Sequence, residues 1–524
     1  MPGRPRIRCY LSYMAVAAAV LTQSAFSATR TAPFALEEAS IDSVHRAFAE
    51  RTLSCHQLVA AYLKRIAAFD KKGPKLNAMI TVNPQALAAA DALDSRYRTD
   101  SSKVGSLHCI PILLKDNYDT ADMRTTGGSL NLKESQPKRD AFTVAKLRAA
   151  GVVVMGKTNL SELAMSGLTV SSLQGQTLNP YDLTRNPGGS SGGTGAGIAA
   201  NYAVFGTGSD TGQSIRSPSS ANSLVGIRST RGLISRGGII PISLTQDEAG
   251  PIARNVTDLA RAMDVMVGYD PDDPITAAGV GHIPGTYTAF LDRAGLKGKR
   301  IGVLRQFFGT EAIHAEVNRV INADLDAMKS LGAEIVDIQV ADLDALTADM
   351  ATSPFEAKTA LNGYFATLGP GAPVTTLTEF IARGGYHQSI DQALKLAEAK
   401  PDGMTSLEYE KIFVRRDNLR KAILFVMAQN RLDAIVYPHQ KRLVVPIGEE
   451  QVERNGVLSN ATGFPAITLP GGFSAPTQSA PLGVPVGVEL LGREWSEGML
   501  ISMGYAFEQG THFRKPPMST PFTR

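Results

Sequence analysis

Asn186-Pro187-Gly188-Gly189-Ser190-Ser191-Gly192-Gly193-Thr194-Gly195, an alanine-rich stretch, and then Gly206-Thr207-Gly208-Ser209-Asp210-Thr211-Gly212-Gln213-Ser214-Ile215-Arg216 place two glycine-flanked serine clusters on either side of one helix-like segment. Glycines beside a serine remove the Cβ that would hold a substrate away and admit dihedrals closed to other residues. The amide N–H groups of such loops are free to converge on one centre, and a ring of donors suits a developing oxyanion.

Upstream, Leu107-His108-Cys109-Ile110-Pro111-Ile112-Leu113-Leu114 reads as a buried strand ending in Lys115-Asp116-Asn117. Burial takes hydration from the charged form of a lysine, so the pKa of Lys115 is expected to fall until neutral amine is available as a base. One base and two loop serines compose a candidate nucleophilic site. Each piece has a plainer reading. Gly188 to Gly193 also suits a flexible linker or a phosphate cradle, Lys115 a strand-end lysine reaching for solvent, and Ser214 a helix N-cap.

Taken together, these residues resemble the amidase signature hydrolases, and the likeness extends over nearly the whole chain. It also includes Gly156-Lys157-Thr158-Asn159-Leu160-Ser161-Glu162, Gly175-Gln176-Thr177-Leu178-Asn179-Pro180-Tyr181, Asp247-Glu248-Ala249-Gly250-Pro251 and Gly463-Phe464-Pro465-Ala466-Ile467-Thr468-Leu469-Pro470-Gly471-Gly472-Phe473. The resemblance implies an α/β fold with a large mixed, twisted sheet flanked by helices on both faces. It implies amide C–N hydrolysis through a Ser-Ser-Lys triad: Ser214 the acylated nucleophile, Ser190 a relay whose peptide bond is typically cis, Lys115 the base. The backbone N–H groups of Thr211, Gly212, Gln213 and Ser214 would hold the oxyanion. Ser191 would support Lys115, and Asp210 with Arg216 would brace the nucleophile loop. Two residues depart from the family, which usually has glycine at Cys109 and often at Gln213; neither change removes a catalytic atom.

The glycine-serine run also satisfies the Gly-x-Ser-x-Gly elbow, which would make Ser190 a nucleophile served by a distant histidine and aspartate. That elbow needs a strand before it, and Thr184-Arg185-Asn186-Pro187 is turn-like. Ser135-Gln136-Pro137-Lys138 fits a Ser-x-x-Lys pattern, but Pro137 spoils the helical turn it needs. The implied fold also admits an esterase or carbamate hydrolase, or a noncatalytic, amidotransferase-like subunit.

With 43% hydrophobic and 19% charged residues and a net charge of +4, the 524-residue chain reads as a soluble enzyme rather than a nucleic-acid binder. Arg4, Arg6 and Arg8, an apolar run from Leu11 to Leu21 and Ala25-Phe26-Ser27 read as a secretory signal peptide over residues 1–27. The catalytic domain then spans 28–524 and works in the periplasm or outside the cell. Signal removal leaves Cys55 and Cys109, read here as two unpaired thiols, with a disulfide as the alternative. The expected partner is a small-molecule amide. Metal, organic cofactor and stable membrane insertion are not expected, and the oligomer is a monomer or homodimer.

Apolar periodicity predicts two helices between Ala39 and Asp70, another after Pro84, and a helix-to-strand passage at Gly151. A strand-helix-strand unit follows over 301–338, so the sheet is mixed. Residues 353–429 read as a variable, mainly helical region that governs substrate choice, with Tyr364, Phe380 and Tyr386 as candidate pocket aromatics.

Overall fold

The first two helices begin where a serine can cap them. Ser40 and Ser54 each accept from the N–H three residues on, at Ser43 and Gln57, and those side chains bond back to the cap. This satisfies amides that a helix start leaves unpaired, and sets α1 (Ile41–Ala49) and α2 (Cys55–Phe69) where the periodicity placed them. The structure, a computed structural model, describes residues 1–3, 34–400 and 403–522. The expected signal peptide has its deciding residues, Arg4 to Ser27, outside the described residues. Residues 35–524 cluster as one compact unit.

Chain order continues through β1 (Met79–Val82), α3 (Ala86–Thr99), β2 (Pro111–Lys115), α4 (Phe142–Ala149), β3 (Val153–Thr158) and a small hairpin of β4 (Val170–Ser171) and β5 (Gly175–Gln176). Next come α5 (Gly192–Ala199), β6 (Phe205–Asp210), α6 (Arg216–Ala221), β7 (Val225–Arg228), β8 (Glu248–Ala253) and α7 (Val256–Met266). Then follow β9 (Arg300–Leu304), α8 (Ala315–Ser330), β10 (Glu334–Ile338), β11 (Ala434–Pro438), β12 (Ala466–Phe473) and β13 (Pro485–Leu491). Eleven of these strands form one sheet in the order β1-β3-β2-β6-β8-β7-β12-β13-β11-β9-β10. It is mixed: β2 runs parallel to β3 and β6, and β9 parallel to β10 and β11, while β8, β7, β12 and β13 make antiparallel pairings. Flanking helices bury it, as parallel pairings require, and every residue of β2, β3 and β6 is buried.

The lysine strand is shorter than its apolar run. Pro111 has no N–H to give a ladder, and Cys109 sits at φ +56°, so Leu107 to Ile110 form a turn and the strand begins at Pro111. Lys115 is therefore the last residue of β2, in register with Thr158 at the end of β3. Asp210 ends the parallel neighbour β6. In open α/β sheets the carboxyl ends of the strands are where ligands gather.

The reading of two unpaired thiols is corrected: Cys55 and Cys109 form a disulfide with Cα atoms 5.7 Å apart. Strand and helix positions hid the pairing, because the contact depends on how α2 folds back over the turn before β2. The left-handed backbone at Cys109 is one that glycine would adopt freely. The crosslink supplies the reason for a side chain there. Closing a loop of 54 residues limits the unfolded chain, so we expect the double substitution Cys55→Ser, Cys109→Ser to lose about 2–4 kcal/mol. Urea denaturation of both proteins measures this, and matching curves would mean that the crosslink does not stabilise the fold.

Candidate active site

At the end of β2 the Lys115 side chain is wholly buried. Its Nζ lies 2.7 Å from Ser190 Oγ, 2.8 Å from Ser209 Oγ and 3.3 Å from the Ser209 carbonyl oxygen. Desolvation lowers its pKa to about 7, with Asp210 and Asp247 opposing that fall. Asn117 Nδ2 donates to Ser209 Oγ from the other side, at 2.9 Å.

Ser190 follows a cis peptide bond at Gly189, and is fully buried. A Cβ on Gly189 would meet the Gly167 carbonyl carbon at 2.7 Å, and one on Gly193 would meet the Asn159 oxygen at 2.2 Å. The loop thus needs glycine to lie this close to the chain around it. Its serine is not on an elbow: residues 186–189 are not a strand, and Ser190 Oγ meets an amine rather than an imidazole. Ser191 does not bond Lys115 directly. Its hydroxyl donates to the Ser214 carbonyl at 2.5 Å and its N–H to the same oxygen at 3.3 Å, fastening the two serine loops together.

Thr211, Gly212, Gln213 and Ser214 line a cavity of about 390 Å³. Among the described residues, the amides of Gly212, Gln213 and Ser214 donate to no protein acceptor. Thr211 is held from behind, its Oγ1 donating to Asp247 Oδ1 at 2.5 Å. Asp210 accepts from the Ile215 N–H at 3.0 Å, Arg216 Nε at 3.2 Å and Arg228 Nη1 at 3.0 Å. Arg216 also reaches Glu489 at 2.7 Å and the Gly212 carbonyl at 2.6 Å, and Glu489 is held by Tyr437 and His439. Burial pushes the Asp210 carboxyl up, but Arg216 and Arg228 overcome it and hold the group far below the usual range.

The family model described as Amidase matches residues 57–501. The chain belongs to the amidase signature family. A probable amidase of Arabidopsis thaliana is 35% identical, with 92% of each chain covered. A glutamyl-tRNA(Gln) amidotransferase subunit of Thermoanaerobacter pseudethanolicus is 32% identical over 92% of this chain and 98% of its own. The solved peptide amidase of Stenotrophomonas maltophilia superposes with a TM-score of 0.82 at 36% identity, covering 93% of this chain and all of that one.

In this family member the residues singled out by sequence gather in one place, with Lys115 and Ser190 in contact and Ser214 lining the cavity. Sequence reasoning missed Ser209, although it lies within the second glycine-serine cluster. Its signal was alternation along β6, which sends Ser209 and Asp210 to opposite faces. It also missed Arg228, Glu489 and His439, which no local pattern marks. Of the aromatics, Tyr364 lines a second cavity of about 210 Å³ and donates to Asp119 at 2.8 Å. Phe380 and Tyr386 stack on one another in a hydrophobic cluster instead. Among the described residues no helix is long and apolar enough to cross a membrane.

Removing one partner from a buried charge cluster leaves the others uncompensated. Arg216→Met is therefore expected to lose about 3–5 kcal/mol. Urea denaturation would contradict this if the variant unfolded at the wild-type midpoint.

Proposed function

We propose that the protein hydrolyses a carboxamide C–N bond through an acyl-enzyme on Ser214, releasing ammonia or an amine. The observation that carries this is the desolvated Lys115 amine in hydrogen-bond contact with Ser190. A neutral amine has two N–H donors and one lone pair. The two acceptors on Ser209 take the donors, leaving the lone pair for the Ser190 hydroxyl. Ser190 passes its proton to Lys115 and takes that of Ser214 as Ser214 Oγ attacks the carbonyl carbon. The oxyanion settles on the unsatisfied amides of the 211–214 loop, each well-aimed donor contributing roughly 3–4 kcal/mol.

Protonated Lys115 then returns its proton through Ser190 to the leaving nitrogen, and the C–N bond breaks. An amide anion leaves so poorly that this return decides the rate. Water attacks the acyl-enzyme by the reverse route and frees the carboxylate. Esters and carbamates are the alternative substrates of the same machinery, since alkoxide departs without such help. The relation to an amidotransferase subunit favours a second reading, a protein inactive without its partners. Reaction of the isolated chain with a serine reagent separates the two. The Cys55–Cys109 disulfide supports placing the chain in the periplasm or outside the cell, because such bonds persist in oxidising compartments.

Lys115→Ala is expected to lower kcat/KM for an amide by about 10²–10⁴-fold or more, with a smaller loss for the matching ester. Below pH 7 the amine is protonated and cannot accept, so kcat/KM should rise through about pH 7 and level off above it. A rate that is equal at pH 5 and pH 8 would remove Lys115 as the base. A fluorophosphonate should label Ser214, read by peptide mass spectrometry. Labelling at Ser190 would restore the elbow mechanism, and no labelling together with no amide cleavage would favour the partner-dependent subunit.

A further inference from the structure

The cavity beside Ser214 has one charged residue in its wall. That residue is Arg454, and all of the other lining residues, Met165 included, are uncharged. Among the described residues Arg454 makes no ion pair with a carboxylate. Its neighbour Glu453 faces His314 and Arg442 instead.

What holds the guanidinium is Gln213, next to the proposed nucleophile. With the amide oriented so that both groups are satisfied, Gln213 Oε1 accepts from Arg454 Nε at 2.7 Å and Nη1 at 2.9 Å. The side of the fork that carries Nη2 has no protein acceptor among the described residues. A Cβ on Gly167 would meet Arg454 Nη1 at 2.5 Å, and Gly167 in turn packs on Gly189, just before Ser190. The guanidinium therefore lies one loop away from the serine pair, at a fixed place in the wall.

We propose that Arg454, positioned by Gln213, is a receptor for a carboxylate on the substrate, so that the preferred amides carry an anionic group on the acyl or the amine portion. This deepens the amidase reading and rests on it. Guanidinium matches carboxylate through paired N–H donors. The Arg454 side chain is exposed at the cavity, so a carboxylate can reach the edge of the guanidinium that Gln213 leaves open. Gln213, a departure from the glycine common at that position, then has a function: it fixes one edge of the fork and leaves the other for the substrate.

The test compares glutaramic acid with pentanamide, and N-acetylglycine with N-ethylacetamide, in the wild type, Arg454→Gln, Arg454→Lys and Gln213→Gly. Binding of glutarate to each protein is measured by calorimetry, independently of turnover, and thermal melting confirms folding. The wild type should prefer at least one carboxylated amide over its neutral counterpart by tenfold or more in kcat/KM. That ratio should collapse in Arg454→Gln and be partly kept in Arg454→Lys. Glutarate affinity should fall at least tenfold in Arg454→Gln. Equal ratios in wild type and Arg454→Gln, with glutarate binding unchanged, would overturn the subsite. Arg454-dependent glutarate binding without hydrolysis of any amide would uphold the subsite and overturn the amidase reading.

Discussion

A primary amine kept out of water, with its hydrogen bonds made to neutral oxygens, is the constraint around which the rest of the structure is arranged. Lys115 in solution would hold its proton to about pH 10 and would offer no lone pair near neutrality. Burial at the end of β2 brings its pKa to about 7. It can be tolerated because Ser190 and Ser209 receive the amine without offering it a countercharge. Both serines stand on glycine-rich backbone, so the close approach of three chain segments and the chemistry of the site have one cause.

Asp210 directly follows Ser209, and an unpaired carboxylate there would undo this. Its field opposes the desolvation of Lys115. Arg216 and Arg228 both bind Asp210, which weakens that field at the amine. Arg216 in turn needs Glu489, and Glu489 is fixed by Tyr437 and His439. Two acids and two guanidinium groups thus come near to balance. The same Arg216 grips the Gly212 carbonyl, while the amides of Gly212, Gln213 and Ser214 stay unclaimed among the described residues. Electrostatic tuning and backbone positioning are done by one cluster.

This explains what could be read from the chain and what could not. Lys115 announced itself as a cation ending an apolar run, and Ser190 and Ser214 by glycines that only a crowded backbone requires. Asp210 and Arg216 are six residues apart, close enough to pair by inspection. Glu489 is 273 residues from Arg216, and its role exists only once β13 lies beside β12 in the sheet. The cysteine pair was missed for a related reason: Cys109 belongs to an apolar run that reads as strand, and the turn that presents it to α2 arises from Pro111 and a left-handed backbone. Local chemistry was legible; pairings created by the sheet order were not.

The walls of the cavity follow a different rule from its floor. The floor is the 211–214 loop, tied to the sheet by buried charges that tolerate little change. Part of the wall comes from Ser353, Pro354, Ala357, Ala393 and Leu396, on helices Ser353–Thr367 and Asp391–Glu398, within the region read from sequence as variable. Those helices pack through an apolar cluster that includes Leu361, Phe365, Phe380 and Leu394, and volume-conserving changes in such a cluster cost little. Substrate range can therefore shift through the wall while the amine, the serines and the charge cluster stay in place. That separation requires a rigid floor, and the buried hydrogen bond from Ser191 to Ser214 and the partly buried one from Arg216 to Gly212 provide it.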